Sequence, residues 1–333
     1  MSDFEFICVS GYGKSGSSAC ISLLKEFEFV DGPNKEFRIA KDPHGLIDLE
    51  SSLVENWEFI RHNTAINDFL EYCLMLSRND GVFRKTGKGF SEILYIDFMK
   101  ESIEYISRIN NFMYFSDTML HRYRLNILQS FKQRLRSKFD LSNAAPMYFS
   151  RPNEEDFLME TKRYLKRVFE NYATNKNIRK VVLNQAISPT NIKKSLKYFD
   201  NEKLIIVDRD PRDIYATMLK EGSFLGTEDS VHKYIEWHLH VRKQVAHDID
   251  TAVNQDKVLR LNFEDFFLHY SGTIERIKEF LNIDFTHKNK NSRFNPESIR
   301  SHVGIWREIL DQDAILQIEK KLSEYCYNAS IAS

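Results

Sequence analysis

One stretch near the start of the chain, residues 4–24, restricts the possible fold more than any other. It reads FEFICVSGYGKSGSSACISLL: an apolar run breaks into a loop of Gly, Lys and Ser, and a segment with helical apolar spacing follows. A strand, a turn and a helix are therefore predicted to share this stretch. The function of the chain depends on what such a loop binds.

Strand-like and helix-like segments alternate along the rest of the chain. The predicted strands are short and largely apolar, as parallel strands covered by helices should be. They are residues 5–10, 36–40, 180–184, 203–208 and 257–262. Helical apolar spacing is strongest at residues 17–27, 155–171, 191–198, 214–220, 230–250 and 271–281. Joined by right-handed crossovers, these segments predict an α/β fold, with a central parallel sheet flanked by helices in a single domain over residues 1–333.

A long interval, about residues 46–179, separates the second predicted strand from the third. Its amphipathic segments resemble helices, and aromatic residues are frequent in it. We therefore expect a helical insert within the domain, with most of its aromatic side chains in the core.

The composition excludes several classes of protein. The 333 residues are 42% hydrophobic and 29% charged, which is typical of a globular chain. No stretch is apolar enough to span a bilayer and no signal peptide is recognisable, so the sequence predicts a cytoplasmic protein. A net charge of -1 argues against bulk binding to nucleic acid or anionic membrane, so any anion site must be local. The cysteines Cys8, Cys20, Cys73 and Cys326 form no metal-binding or disulfide pattern and are expected to be small buried residues.

The loop GYGKSGSS, residues 11–18, has the composition of a phosphate cradle. Backbone NH groups at a helix N-terminus attract anions, glycine permits close approach, and lysine and hydroxyl groups add charge-assisted hydrogen bonds. The nucleoside-triphosphatase motif, GxxxxGK followed by Ser or Thr, fits poorly because its first glycine would fall at Cys8. A glycine turn with a chance lysine is the structural alternative.

A second signal lies at residues 202–222, EKLIIVDRDPRDIYATMLKEG. A strand ending at Asp208 is followed by a charged cluster around Pro211 and by a helix that carries Thr217, eight residues after Arg209. Arg209 and Thr217 could bind one anion. The alternative is a set of surface ion pairs at a helix start, which contribute little stability.

Together these stretches resemble the family of sulfotransferases that use 3'-phosphoadenosine 5'-phosphosulfate (PAPS). The first resembles the family's 5'-phosphosulfate loop, PKSGTT, and the second its 3'-phosphate motif. VLRLNFEDFF, from Val258, and SIRSHVGIWRE resemble the family's late strand and its C-terminal Gly-x-Trp element, in the family's order. The resemblance implies a P-loop nucleotide-kinase-like fold, PAPS as donor and 3',5'-adenosine bisphosphate as product. The residues it implies for PAPS binding are Gly13, Lys14, Ser15, Gly16, Ser17, Ser18, Arg209, Thr217 and Arg300, with Arg293 as an alternative to Arg300.

The chain departs from the family pattern at Ala19, where many cytosolic members carry a tryptophan beside the adenine. Trp57 and Trp237 are candidates for that contact, and core packing is the alternative for each. The long insert resembles no family segment, and acceptor choice commonly lies in such variable segments.

The resemblance, together with the chemistry of sulfuryl transfer, assigns catalytic roles. Lys14 would stabilise the charge that grows on the oxygen bridging sulfur to phosphate. Asp42 or His44, after an early predicted strand, would accept the acceptor's proton, with Asp42 slightly preferred. The alternative for both is a role as turn residues beside Pro43. The spacing of Asp and Glu residues indicates no metal site.

We therefore expect a PAPS-dependent sulfotransferase that acts on a hydroxyl or amine of a small molecule, a glycan or a glycolipid, and not on nucleic acid. The alternatives are a P-loop kinase or other nucleotide phosphotransferase, and a non-catalytic nucleotide-binding protein. The segment 121–139 is either a solvated helix face or a border of the cleft that attracts an anionic acceptor. Its basic residues are Arg122, Arg124, Lys132, Arg134, Arg136 and Lys138.

Overall fold

The computed structural model describes residues 4–81, 87–116, 125–139, 141–200, 202–223, 230–252, 255–283 and 292–328. The chain divides into two compact units: the first comprises Met1–Arg38 and Ala173–Ser333, and the second comprises Ile39–Tyr172. The single domain expected from the sequence stays a prediction. Within the described ranges, none of the helices combines the length and apolar composition that a membrane crossing requires.

The elements are numbered in chain order. The described strands are β1 (Glu5–Gly11), β2 (Val30–Asp31), β3 (Phe112–Ser116), β4 (Ala145–Phe149), β5 (Lys180–Asn184), β6 (Lys203–Asp208) and β7 (Val258–Asn262). The described α-helices are α1 (Ser17–Leu24), α2 (Leu46–Glu50), α3 (Phe59–Ser77), α4 (Phe90–Ile93), α5 (Phe98–Ile109), α6 (Ile127–Lys138), α7 (Glu154–Lys176), α8 (Ile192–Leu196), α9 (Pro211–Lys220), α10 (Ser230–Ala252), α11 (Asp265–Leu268), α12 (Tyr270–Leu281), α13 (Pro296–Ile299), α14 (Trp306–Ile309) and α15 (Gln312–Leu322).

The larger sheet lies in the first unit and contains five parallel strands in the order β2, β5, β1, β6, β7. β1 is central, since Ile7 lies beside Val182 of β5 and beside Lys203 of β6. Every residue of β1 after Glu5 is buried, as a strand covered on both faces requires. The fold is therefore α/β and P-loop-like, as predicted, and the loop 11–18 follows the central strand.

Helices cover the sheet because parallel strands need crossover connections. Alternate residues of β1 and β6 pack with helices α1 and α12. This group includes Ile7, Val9, Leu23, Leu24, Ile205, Val207, Ile274 and Ile277. A second apolar cluster joins helices α9, α10 and α15, and each predicted helix of the first unit is present with bounds shifted by a few residues. Cys8 and Cys20 are buried as expected, whereas Cys326 is only partly buried.

The second strand predicted from the sequence, 36–40, is wrong. Only Glu36 forms an isolated bridge, to Asn184, and the strand beside β5 is the two-residue β2. Phe37, Ile39 and Ala40 are fully buried although the backbone there is irregular. Their apolar character reflects burial, which a strand and a buried turn both require.

The second unit contains most of the predicted insert. It is largely helical, as expected, and its core includes the aromatic residues Phe69, Tyr105 and Tyr164, with the two tyrosine rings stacked at 4.8 Å. It also contains an antiparallel pair, β3 and β4, in which Ser116 lies beside Ala145. The helix α6 lies in the chain between these two strands.

Candidate functional site

The loop between β1 and α1 contains two residues in the left-handed region. Lys14 has φ 64° and Gly16 has φ 85°. A side chain at Gly16 would place its Cβ 2.1 Å from the ring of Phe263, so only glycine fits there. The loop reverses direction tightly enough to begin α1 directly after Gly16.

The start of α1 is suited to an anion. Among the residues that the structure describes, no side chain caps the helix, and the first NH groups of any helix have no partner within it. Loops that mix right- and left-handed residues also turn successive NH groups into a concave anion site. The Ser15 hydroxyl is buried and has no hydrogen-bond partner among the described residues. These features fit a phosphate or sulfate group.

Lys14 lies beside the end of α9. Its ammonium forms an ion pair with the carboxylate of Glu221, and both side chains are partly exposed. The side chain of Met218, also on α9, lies close to Gly13: a Cβ added at Gly13 would be 3.8 Å from it. Sequence reasoning missed Glu221 because a separation of 207 residues gives no local signal.

Arg209 lies beneath the loop. It is only 5% exposed, its Nη1 donates to the Lys14 carbonyl at 2.9 Å, and its Nη2 donates to the His302 carbonyl at 2.7 Å. Its guanidinium also packs on the Phe263 ring at 4.9 Å. Burial lowers the pKa of Arg209, while nearby carboxylates, first Asp213, act in the opposite direction. Its Nε has no partner among the described residues, so a buried donor is left for an anion.

Thr217 and Arg300 are placed differently from Arg209. The Thr217 hydroxyl is buried and donates to the Asp213 carbonyl at 2.7 Å. Arg300 is exposed and borders a cavity of about 750 Å³ that is also lined by Glu264 and Trp306. The sequence therefore identified a loop and an arginine that make direct contact, whereas Thr217 bonds to its own helix.

The carboxylate of Asp213 connects α9 to the C-terminal Gly-x-Trp element. It accepts hydrogen bonds from the backbone NH groups of Gly304 at 2.8 Å and Trp306 at 3.1 Å. Glu264 accepts from the NH of Asp210 at 2.8 Å, and burial raises the pKa of Glu264 to about 8. Sequence reasoning assigned neither carboxylate a role, although both lie in the segments that carry the resemblance.

A cluster of two arginines and one aspartate lies next to the loop. Arg260 makes two hydrogen bonds to Asp208, at 2.8 and 2.9 Å, and Arg242 forms an ion pair with the same carboxylate. The Arg242 guanidinium packs on the ring of Tyr12 at 4.2 Å. Two cations on one carboxylate leave an excess positive charge beside the loop, which favours anions there.

Asp42 and His44 belong to the second unit. Asp42 accepts a hydrogen bond from the hydroxyl of Tyr72 at 3.1 Å. His44 has φ 66°, and its NH donates to the carboxylate of Asp48 at 2.7 Å. Its ring Nδ1 lies 3.5 Å from the carboxylate of Asp68, and the ring borders a cavity of about 500 Å³. Among the described residues, Nε2 of His44 has no hydrogen-bond partner.

The other predicted residues have structural contacts. Trp57 stacks on His62 at 5.1 Å and donates to the Ser150 carbonyl, which is a packing role. Arg293 donates its backbone NH to Glu26, and Trp237 is 37% exposed on α10. Arg122 and Arg124 lie outside the described residues.

Within the described part of the chain, no group of three or more His, Cys, Asp or Glu residues could hold a metal ion.

No curated protein matches this chain. Among solved structures, it is similar to the sulfotransferase domain from the curacin biosynthetic pathway, at 12% identity over 96% of this chain and 98% of that one, with a TM-score of 0.47. It is also similar to the sulfotransferase domain of the Synechococcus PCC 7002 olefin synthase, at 11% identity over 98% and 97% of the two chains, with a TM-score of 0.42. A third similar structure is that of retinol dehydratase in complex with androsterone and inactive cofactor PAP, at 14% identity over 97% and 82% of the two chains, with a TM-score of 0.37.

The family assignment comes from the sequence itself. The model of the sulfotransferase family matches residues 90–287, which is more than half of the chain. The matched range includes Arg209 and Thr217, and it begins after the loop that contains Lys14. This chain therefore belongs to the sulfotransferase family.

Proposed function

We propose that this chain transfers the sulfuryl group of PAPS to a hydroxyl or amine of an acceptor, and that it does so in the cytoplasm. The observation that carries the proposal is the loop between β1 and α1. It combines the left-handed Lys14 and Gly16 with a helix start that no described side chain caps. The buried Arg209 beside it has a donor without a partner among the described residues. Each of these features favours an anionic group.

The residues of the loop have the chemistry that the transfer requires. PAPS, when bound, supplies an activated sulfuryl group. The NH groups of Gly13, Lys14, Gly16, Ser17 and Ser18 would bind the 5'-phosphosulfate. The Lys14 ammonium would stabilise the charge that develops on the bridging oxygen. Arg209, Thr217 and Arg300 would bind the 3'-phosphate through charge-assisted hydrogen bonds.

For the general base we propose His44 in preference to Asp42. An imidazole can accept a proton at one ring nitrogen while a carboxylate beside the other nitrogen orients the ring. Asp68 has that position beside Nδ1 of His44, and the ring borders a cavity. The Asp42 carboxylate already accepts a hydrogen bond from Tyr72, and it remains the alternative.

The acceptor that we propose is a small molecule, a glycan or a glycolipid head group. The support for an anionic acceptor is the set of basic side chains on α6, including Arg134 and Arg136. If they attract the acceptor, Arg134→Ala with Arg136→Ala should raise the acceptor KM, weaken its salt dependence and leave donor affinity unchanged. An unchanged KM would place acceptor recognition elsewhere.

One experiment separates the proposal from a kinase or other nucleotide phosphotransferase. Titration calorimetry in the absence of magnesium should show binding of 3',5'-adenosine bisphosphate that is tighter than binding of ADP. A nucleotide that binds only with magnesium would favour the kinase. Turnover of radiolabelled PAPS with a screen of glycans, lipids and small molecules would then separate an enzyme from a non-catalytic nucleotide-binding protein.

A further inference from the structure

The helix α6 of the second unit exposes several large apolar side chains. It lies in the connection between β3 and β4, beyond the end of the pair where Ser116 lies beside Ala145. None of its residues is buried. A helix that buries nothing gains no stability from packing, so its apolar side chains require another explanation.

The apolar side chains of α6 share one face. Ile127, Phe131 and Leu135 follow one another at intervals of four residues, and Leu128 lies beside them on the helix surface. These four side chains are 88%, 61%, 40% and 79% exposed, respectively. Phe139, directly after the helix, is 68% exposed. Contiguous exposed apolar surface of this kind marks an interaction site.

The charges of α6 have one sign. Lys132, Arg134, Arg136 and Lys138 are all exposed, and residues 125–139 contain no Asp or Glu. The whole chain has a net charge of -1, so this segment is a strong local excess of positive charge. Long basic side chains beside an apolar face can keep their charges in water while their methylene groups lie along the apolar surface.

We propose that α6 binds the surface of an anionic phospholipid bilayer. Its apolar face would enter the boundary between head groups and acyl chains, and its lysines and arginines would contact the lipid phosphates and carboxylates. A basic amphipathic helix of this composition is typical of interfacial membrane binding. A second copy of the chain fits less well, because two such faces in contact would bring like charges together. The proposal does not depend on the transfer reaction.

The test is co-sedimentation of the full chain with vesicles of phosphatidylcholine, with and without phosphatidylserine. We expect binding to the vesicles that contain phosphatidylserine to be about tenfold stronger, and to weaken steeply as salt rises through the range where surface charges are screened. Phe131→Trp should add fluorescence that brominated lipids quench. No binding to phosphatidylserine vesicles at low salt would overturn the proposal.

Two sets of variants keep the test specific. Ile127→Ser with Phe131→Ser, and separately Lys132→Gln with Arg134→Gln, should each reduce vesicle binding severalfold. Because α6 buries none of its residues, both pairs should leave the melting temperature unchanged. The matched controls on α15 are Leu316→Ser and Lys320→Gln with Lys321→Gln, all at exposed positions, and they should bind vesicles as the parent does.

Analytical ultracentrifugation tests the competing occupant. The parent should stay monomeric over the concentrations used for the vesicle assay. A dimer that Phe131→Ser abolishes would overturn the proposal, because a second copy would then cover this face. The proposal would also be overturned if the α15 control variants reduced vesicle binding as much as the α6 variants do.

Discussion

The ammonium of Lys14 is paired with the carboxylate of Glu221 at the end of α9. The two side chains are 37% and 46% exposed, so the pair contributes little to the stability of the fold. Any anion that contacts Lys14 must compete with this carboxylate. We therefore expect Glu221 to weaken anion binding at the loop.

Glu221→Gln should strengthen binding of 3',5'-adenosine bisphosphate by about twofold to fivefold, the range for one partly exposed ion pair. The reason is that Lys14 loses a competing carboxylate while the size of the side chain is kept. Calorimetry at two salt concentrations measures the effect, and Glu275→Gln on α12, which removes another exposed paired carboxylate, is the control. Weaker binding in the Glu221 variant would instead assign this residue the role of positioning Lys14.

Lys14→Ala should lower kcat by about 10² to 10³, the loss measured when one preorganised donor is removed from a site of developing charge. The fold should be retained because the lysine side chain is exposed. Steady-state kinetics and thermal unfolding check both statements, with Lys278→Ala as a control at another paired lysine. Near-normal turnover in the Lys14 variant would contradict its assignment.

Arg209→Ala should remove most of the preference for a 3'-phosphorylated nucleotide over its dephosphorylated analogue, a difference of about 1.5 to 3 kcal/mol for one charge-assisted hydrogen bond. The same change should lower stability, since Arg209 bonds to the carbonyls of Lys14 and His302. Binding is therefore measured at a temperature where circular dichroism shows the variant to be folded. A folded variant that discriminates as the parent does would exclude the 3'-phosphate role.

His44→Ala should reduce the rate by about 10² to 10⁴ with little change in nucleotide affinity, the expected loss for a general base. Asp68→Asn should cause a smaller loss, because the carboxylate beside the ring would no longer orient it. Asp42→Asn provides the comparison. If Asp42→Asn shows the large loss and His44→Ala does not, the base is the carboxylate.

The free energy of unfolding should fall by about 2 kcal/mol as the pH rises from about 6.5 to 8, because over this interval the folded state binds one proton more than the unfolded state. Burial raises the pKa of Glu264 from 4.5 to about 8, so the folded state keeps a proton that the unfolded state releases. Burial lowers the pKa of His238 from its ordinary value of 6.5 to about 3. This histidine therefore destabilises the fold only at pH values below about 6.5. Chemical denaturation at several pH values should show a flatter profile for Glu264→Gln than for the parent. Equal slopes would mean that Glu264 is ionised in the folded state.

Local sequence signals predicted the parts of this fold whose residues are close in the chain. Residues 4–24 contain β1, the loop and α1 as expected, because apolar spacing and glycine positions act over short distances. The strand at 36–40 was wrong because burial alone produced its apolar pattern. The pairing of Lys14 with Glu221 had no local signal. In residues 121–139 the sequence shows the excess of basic residues, but the exposure of Ile127 and Phe131 depends on which residues pack nearby, and a single sequence does not contain that information.

Arg209 links the backbone of the loop at Lys14 to the backbone at His302, and Asp213 holds the next residues of the same C-terminal element. The conformation of the loop is thereby coupled to a segment close to the end of the chain. A truncation before residue 302 would remove the second acceptor of the Arg209 guanidinium and leave a buried cation with one carbonyl fewer. Loss of the C-terminal segment would therefore alter the contacts that hold the N-terminal loop, although the two are separated by almost the whole length of the polypeptide.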